Sequence, residues 1–262
     1  MAVYEIRGKC DGRFSPPVLS LLSSTGGTVC GGVYQIWKGN KSMTMEEAIH
    51  SVRGADRGAL EQALSHWDRV AKPLNSLGVL EEDIVRIAGA SGSHHISIDK
   101  KAIVVMCADN GIVEEGVTQT GQEVTAIVAG NMGKGCSCVC LMAEKAEAKV
   151  IPVDVGMNCC GEIPGVIPEK VSMGTKNFLR EPAMSREQTV MAMEAGIRIA
   201  EGLKSRGYNL AGSGEMGIGN TTTSSAVLSV LLDQDPGQVT GRGAGLTAEG
   251  YKRKIRVIKD GI

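Results

Sequence analysis

The pattern of apolar and polar positions changes near residue 43. Residues 1–42 carry proline and glycine pairs without sustained periodicity, which predicts a non-core or disordered extension. From Met43 onward, apolar residues recur every three or four positions, as on one face of a helix. One such helix ends before Pro73, and a second is closed by two glycines, Gly89 and Gly92. Residues 43–98 are therefore predicted to form a small helical part.

From residue 99 onward, short apolar runs alternate with helical periodicity. Such runs are typical of parallel strands buried on both faces, and they stand at 102–107, 149–155 and 208–211. Helices are predicted over about 123–148, from Ser185 with a capping box at Gln188, and from about 221. The buried stripe of the second helix is predicted at Val190, Met193, Ile197, Ala200 and Leu203. This alternation predicts an α/β fold over residues 99–262, a Rossmann-like parallel sheet with helices on both faces.

Composition narrows the possible functions. The 262 residues are 42% hydrophobic but only 3% aromatic, so the core must be aliphatic. A net charge of −1 implies no broad basic surface, and we expect no nucleic-acid partner. Neither an 18-residue apolar run nor a signal peptide is evident, which favours a cytoplasmic protein without a membrane span. The eight cysteines lack zinc-type spacing, so we expect free thiols and neither a metal nor a cofactor.

The glycine-rich segment 212–223 is the most informative motif. It joins an apolar run to a predicted helix, and a strand, glycine turn and helix start can together hold a phosphate through backbone N–H groups. Asn220 and the threonines after it offer further donors or an N-cap. Glu215 would repel a phosphate, so we expect it to face a cationic part of the ligand or transition state. The alternative is an ordinary turn with a capping threonine, and the pattern alone does not decide.

Four predicted strand ends together resemble one protein family. Their sequences are Met-Cys-Ala-Asp-Asn-Gly at 106–111, Val-Asp-Val-Gly at 153–156, Gly-Glu-Met-Gly-Ile-Gly-Asn-Thr-Thr at 214–222 and Gly-Arg-Gly-Ala-Gly-Leu at 241–246. The family is nicotinate-nucleotide–dimethylbenzimidazole phosphoribosyltransferase, which makes the lower-ligand nucleotide of cobalamin. The resemblance covers about residues 45–262 and includes the N-terminal element at 73–78.

The resemblance implies transfer of the phosphoribosyl group of nicotinate mononucleotide to 5,6-dimethylbenzimidazole or a related base, giving α-ribazole 5′-phosphate and nicotinate. It also implies that Glu215 stabilises positive charge at the ribose as nicotinate leaves. The turn and Lys254 would hold the 5′-phosphate, and segment 117–128 would supply an apolar slot for the base. The expected substrate-binding residues are Asp109, Thr120, Val128, Met216, Gly217, Gly219, Asn220, Thr221, Thr222, Gly241, Gly243 and Lys254. Small-molecule substrates and a homodimer follow from the same resemblance.

The sequence departs from the family pattern in three places. Asn110 stands where many members have His, and Thr120-Gly121 stands where many have a residue followed by Pro, which could alter base preference. The general-base glutamate that the family uses has no counterpart in these 262 residues. The resemblance therefore implies a C-terminally truncated chain with impaired turnover.

Several alternatives stay open at the level of sequence. The chain could be a non-catalytic nucleotide-binding fragment, or a subunit that needs a homologous partner chain. A nucleotide-dependent dehydrogenase is disfavoured because the turn lacks the Gly-x-Gly-x-x-Gly fingerprint with its distant acidic residue. Asp109 and Asp154 could simply cap loops, Lys254 could be solvated, and Arg242 could be a surface residue.

Overall fold

A four-stranded parallel sheet forms the centre of the computed structural model, which describes residues 42–262. The predicted extension thus lies outside the described residues, except for Ser42. The strands are β1 Lys101–Ala108, β2 Ala148–Gly156, β3 Ile167–Pro168 and β4 Leu210–Met216. They lie in the order β3-β2-β1-β4, and every neighbouring pair is parallel. The predicted α/β fold is confirmed.

Nine α-helices are found within residues 42–262. They are α1 Met45–Ser51, α2 Arg57–Arg69, α3 Val79–Ser91, α4 Glu123–Gly133, α5 Cys138–Lys145, α6 Arg186–Ser205, α7 Asn220–Leu232, α8 Pro236–Val239 and α9 Ala248–Gly261. A 3₁₀ helix, Gly111–Glu115, follows β1. The capping box predicted at the start of α6 is present, with both Ser185–Gln188 hydrogen bonds formed.

Helices cover both faces of the sheet, as predicted. Side chains alternate along a strand, so β1 contributes to two separate cores. On one face, Ala102 packs with Ile199 and Leu203 of α6. On the other face, Val105 and Cys107 belong to a cluster with residues of α4. The parallel order then places the carboxyl ends of β1, β2 and β4 together at one edge, where ligands bind in such folds.

The predicted helix over 123–148 is wrong as a single element, because the structure has two helices, α4 and α5. Gly135 lies between them with a φ of +75°, a left-handed conformation that ends the first helix.

The predicted buried stripe of α6 is also wrong in part. Met193 is 54% exposed, whereas Ala195 and Ile199 are buried. The small Ala195 side chain faces inward, so the buried stripe is offset from the predicted one.

Two other predicted boundaries shift. The strand predicted at 208–211 extends to Met216, because β4 pairs with β1 over seven positions despite its glycines. Glu215 therefore lies on a strand. Gly89 does not close α3 but lies within it, where a Cβ would come 2.8 Å from the side chain of Leu60 on α2. Gly92 closes the helix in a left-handed conformation.

The three N-terminal helices differ in what they pack against. Helix α1 docks on α6, where Met45 N donates to Glu194 at 3.1 Å and Ser42 Oγ donates to Glu201 at 3.2 Å. Helices α2 and α3 instead pack on each other around Ala63, Val85 and Ala88. Ser42, assigned to the predicted extension, therefore contacts the described fold. The division between residues 98 and 99 stays a prediction.

Two apolar features lie along the helices. Glu123–Lys145 is the one stretch between residues 42 and 262 that has the length and composition of a membrane span. It is divided into α4 and α5, and both helices pack against β2. Helix α7 buries small residues such as Thr222 and Ser229. Its large apolar side chains are exposed, namely Val227, Leu228, Val230, Leu231 and Leu232.

Candidate functional site

The carboxyl ends of β1, β2 and β4 bring three acidic residues to one edge of the sheet. Register places Met106 opposite Glu215 and Cys107 opposite Asp154, and Asp109 follows β1 directly. Burial raises the pKa of the Cys107 thiol to about 12, and the three nearby carboxylates contribute in the same direction. Cys107 is therefore a protonated core residue, and the chemistry at this edge belongs to the groups around it.

Glu215 is the carboxylate that faces solvent. Glu215 as a whole is exposed. Its carboxyl group is nevertheless partly desolvated, and this raises the pKa of Glu215 above its ordinary value. The side-chain amide of Asn220 donates to Glu215 Oε2, and this bond acts on the pKa in the opposite direction. The contact joins the end of β4 to the start of α7. The carboxylate is thus oriented by Asn220 while it stays accessible to a ligand.

The turn between β4 and α7 needs glycine at two positions. A Cβ on Gly217 would overlap the carbonyl oxygen of Ala108, so this residue allows the turn to lie directly against β1. Gly219 has a φ of +92°, and a Cβ there would lie 2.9 Å from Val113 Cγ2. Both residues are buried. The two glycines allow the turn to pack closely on the end of β1 and on the 3₁₀ helix, and neither would accept a side chain without displacement of its neighbours.

Some backbone donors of this turn are already used. Asn220 N donates to Gly217 O at 3.0 Å, and Thr222 N donates to Gly219 O at 2.9 Å. Within residues 42–262, the N–H groups of Gly219 and Thr221 have no acceptor. Two donors at the N-terminus of α7 are therefore available to an anion. The Thr222 side chain is fully buried, and its hydroxyl finds no partner in the described part of the chain.

Lys254 reaches this turn from α9. Its side chain is fully buried, and Nζ donates to Thr221 Oγ1 at 2.8 Å and to Gly241 O at 3.1 Å. Burial lowers the pKa of Lys254 from its ordinary value. Among residues 42–262, no carboxylate forms an ion pair with it. The lysine is therefore not a solvated surface residue, and its charge meets only neutral oxygens.

The second glycine loop approaches the same place. Gly243 has a φ of +60°, and a Cβ there would lie 2.8 Å from Thr221 Oγ1. Gly241 supplies the carbonyl that Lys254 contacts. The side chain of Gln119 donates to Gly245 O, which ties this loop to the segment after β1. Arg242 is exposed and contacts Leu246 O and the Tyr251 ring, as a surface residue would.

The residues predicted to hold the base are more dispersed. Thr120 is exposed, and its carbonyl accepts from Thr118 within the same loop. Val128 and Met216 are half-buried in the apolar cluster around Cys107. The structure thus packs Met216 and Val128 against the same apolar cluster, and Thr120 is not among the described residues of that cluster.

The two buried aspartates both hold the loop after β2. Asp154 accepts from Gly156 N at 3.1 Å and Met157 N at 2.8 Å, and it pairs with Lys170 at 3.2 Å. Asp109 Oδ2 accepts from Asn158 N at 2.8 Å, and its Oδ1 lacks a partner among the residues described. Asp154 therefore caps a loop, the simpler of its two interpretations.

Two residues outside the predicted set of substrate-binding residues contact the turn. Thr125 Oγ1 accepts from Ile218 N at 3.1 Å, and Asn110 Nδ2 donates to Ile218 O at 3.1 Å. Thr125 is fully buried on α4, although it is polar. The available signal for Thr125 was a polar residue within an apolar helix. That signal could not identify Ile218 as the partner of Thr125, because Ile218 lies 93 positions away along the chain.

Comparisons with known proteins identify relatives of this chain. The sequence model of a phosphoribosyltransferase family matches residues 52–262. The nicotinate-nucleotide–dimethylbenzimidazole phosphoribosyltransferase of Ruminiclostridium cellulolyticum is 46% identical over 220 residues, which are 84% of this chain and 62% of that protein. Its counterpart from Acetivibrio thermocellus is 45% identical over 216 residues, 82% of this chain and 62% of that protein.

A solved structure supports the same relationship. The crystal structure of CobT from Thermus thermophilus is 36% identical, with a TM-score of 0.73, and the match covers 78% of this chain and 61% of that one. The chain thus spans about 62% of the length of the curated relatives named above. The family model matches most of the length of this chain. The chain therefore belongs to the nicotinate-nucleotide–dimethylbenzimidazole phosphoribosyltransferase family.

Proposed function

We propose that this chain acts as a phosphoribosyltransferase that moves the phosphoribosyl group of nicotinate mononucleotide to 5,6-dimethylbenzimidazole or a related base. The products are α-ribazole 5′-phosphate and nicotinate. The observation that carries this proposal is the buried ammonium of Lys254, which lies beside the N-terminus of α7 without a carboxylate partner in the described residues.

A phosphate supplies what this arrangement lacks. Burying a charge is costly unless an opposite charge or strong hydrogen bonds compensate it. Within residues 42–262, Thr221 and Gly241 offer Lys254 only neutral oxygens, and no opposite charge there compensates the buried ammonium. The free N–H groups of Gly219 and Thr221 are the donors that a helix N-terminus presents to an anion. Together these groups favour a phosphate dianion at the start of α7.

Glu215 is suited to the other end of the same substrate. As the bond from the ribose carbon to nicotinate breaks, positive charge develops at that carbon, and a nearby carboxylate stabilises it. The carbon then bonds to a nitrogen of the incoming base, whose proton leaves to a general base or solvent. Asn220 connects Glu215 to the turn that would bind the phosphate. A single nucleotide could therefore contact both.

The remaining assignments rest on the family and on local surroundings. Val128 and Met216 share an apolar cluster beside Glu215, which supports an apolar slot for the aromatic base with Thr120 as its polar contact. Asp109 would act at the margin of the nucleotide site, where it holds the loop after β2. We infer a homodimer, as the family resemblance implies, and a cytoplasmic location without a membrane partner, as the sequence pattern favours.

The test is incubation of the full chain with nicotinate mononucleotide and 5,6-dimethylbenzimidazole, followed by chromatography for nicotinate. Release that depends on the base supports transfer. Binding of the nucleotide is measured separately by calorimetry, with Lys254→Met as the test variant. Lys259→Met is the matched control, since Lys259 lies on the same helix and pairs with Asp235 on the surface. Absence of both nucleotide binding and nicotinate release would overturn the proposal.

A further inference from the structure

We propose that Asn110 and Thr125 are positioning residues that hold Ile218 from two sides and thereby aim the Gly219 N–H at the phosphate. This inference rests on the proposed function, because the phosphate is the ligand that the N–H would meet. Asn110 follows β1, Thr125 lies on α4, and Ile218 lies in the turn between β4 and α7. Three separate elements therefore meet at one residue.

Asn110 controls the direction of the Gly219 N–H. Its Nδ2 donates to the carbonyl of Ile218 at 3.1 Å, and this carbonyl belongs to the same peptide unit as the Gly219 N–H. A trans peptide is planar, and its C=O and N–H point in opposite directions. The bond to Asn110 therefore draws the carbonyl inward and turns the N–H outward. That N–H is one of the two free donors of the turn.

The amide of Asn110 is itself fixed in orientation. Its Oδ1 accepts from Thr223 Oγ1 at 2.9 Å, so both ends of the amide are used. Asn110 is only 8% exposed, which leaves its side chain little freedom to rotate. Exchange of the amide oxygen and nitrogen would place two acceptors against each other at Ile218. The donor end therefore stays directed at the turn.

Thr125 secures the preceding peptide. Its hydroxyl oxygen accepts from Ile218 N at 3.1 Å, and the residue is fully buried. The need for this second bond follows from the neighbours of Ile218, which are Gly217 and Gly219. Glycine has the widest backbone freedom of any residue, so an unrestrained Gly-Ile-Gly segment could rotate its peptides at little cost. Hydrogen bonds on both sides of Ile218 restrict that rotation.

The test compares four variants of the full chain by calorimetry with nicotinate mononucleotide at pH 8. Asn110→Leu and Thr125→Val preserve approximate size but remove the hydrogen bonds, and we expect an affinity loss of about 10-fold or more. Asn110→His keeps one donor and one acceptor in its neutral form, and Thr125→Ser keeps the hydroxyl. These two variants should stay within about 3-fold of the wild-type affinity. Ser229→Ala is the control, because Ser229 is also buried on α7 but its hydroxyl forms no hydrogen bond within residues 42–262.

A second measurement does not depend on the folding of any variant. In the wild-type protein, inorganic phosphate should slow hydrogen exchange of the Gly219 amide, while the Ile218 amide, already bonded to Thr125, should change little. Unchanged exchange at Gly219, or unaltered affinity in Asn110→Leu and Thr125→Val, would overturn this inference alone. A wild-type chain that binds neither nicotinate mononucleotide nor phosphate would overturn the proposed function, and this inference with it.

Discussion

The ammonium of Lys254 lies 2.8 Å from the hydroxyl of Thr221, 33 positions earlier in the chain. This contact connects α9 to the first turn of α7, next to the glycine turn that follows β4. Lys254 and the turn glycines Gly217 and Gly219 are buried, whereas Thr221 is exposed, so the lysine reaches the turn from the interior of the protein. The position of α9 therefore determines whether the turn has a cation beside it.

Replacing Lys254 with Met should weaken binding of nicotinate mononucleotide by about 10- to 100-fold, since a charge-assisted hydrogen bond contributes about 1.5–3 kcal/mol. The dependence of affinity on salt should also become shallower, because one cationic contact is lost. Calorimetry at two ionic strengths measures both effects. Lys259→Met should behave as wild type. Equal effects of the two substitutions would argue that Lys254 does not contact the phosphate.

The affinity for nicotinate mononucleotide should fall as the pH rises in the alkaline range. Burial lowers the pKa of Lys254 below its ordinary value of 10.5, so the free protein loses this charge earlier than an exposed lysine would. Binding of the phosphate requires the protonated form of Lys254. Above the lowered pKa, Lys254 must first take up a proton, and this requirement weakens the apparent affinity. A titration of affinity between about pH 7 and 10 measures this limb. Lys254→Met should lack it, and a pH-independent wild type would contradict the prediction.

Asn220→Ala should shift the acidic limb of nicotinate release to higher pH. The Asn220 amide lowers the pKa of Glu215, while desolvation raises it, so removal of the amide leaves only the upward influence. The carboxylate is the form that stabilises positive charge at the ribose, and turnover should fall as the pH drops through its pKa. Measured rates across the acidic range report the shift. A Glu215→Gln variant with an unchanged rate would remove Glu215 from the mechanism.

Gly217→Ala should destabilise the protein by about 1–3 kcal/mol, because the added methyl group meets the backbone carbonyl of Ala108. Thermal unfolding provides the measurement. Gly196→Ala is the matched control, since Gly196 lies within α6 with open space around its Cβ position. A helical Gly-to-Ala change of this kind should stabilise slightly. If the two variants had the same stability, the close approach at Gly217 would not matter.

Deletion of residues 1–41 should leave the melting temperature within about 2 °C of the full chain, which for this size corresponds to less than about 1 kcal/mol. This expectation comes from their lack of apolar periodicity. A deletion that also removes Ser42 and Met43 should cost more, because both residues hydrogen-bond to Glu201 on α6. A large loss of stability from the shorter deletion would show that residues 1–41 pack on the fold.

Local patterns predicted the parallel strands β1 and β2 and the start of α6, but they missed the division of 123–148 into two helices and the full length of β4. The apolar runs at 102–107 and 149–155 are strands because they are buried on both faces, and the Ser185 capping box begins α6 where the spacing predicts. The glycines of segment 212–223 predicted a strand, a turn and a helix start, and β4, the turn and α7 lie there in the structure. These properties depend on neighbours within a few positions of the chain, and periodicity reports such neighbours directly.

Only the tertiary structure decided which polar groups meet. The bond between Thr125 and Ile218 spans 93 positions, and that between Asn110 and Thr223 spans 113. Lys254 lies among exposed charged residues in the sequence, yet α9 turns it inward to Thr221. No local pattern contains these pairings, because they follow from the packing of α4, α7 and α9 around the sheet. The sequence by itself determined that a glycine turn would follow β4, and the packing determined which side chains hold it.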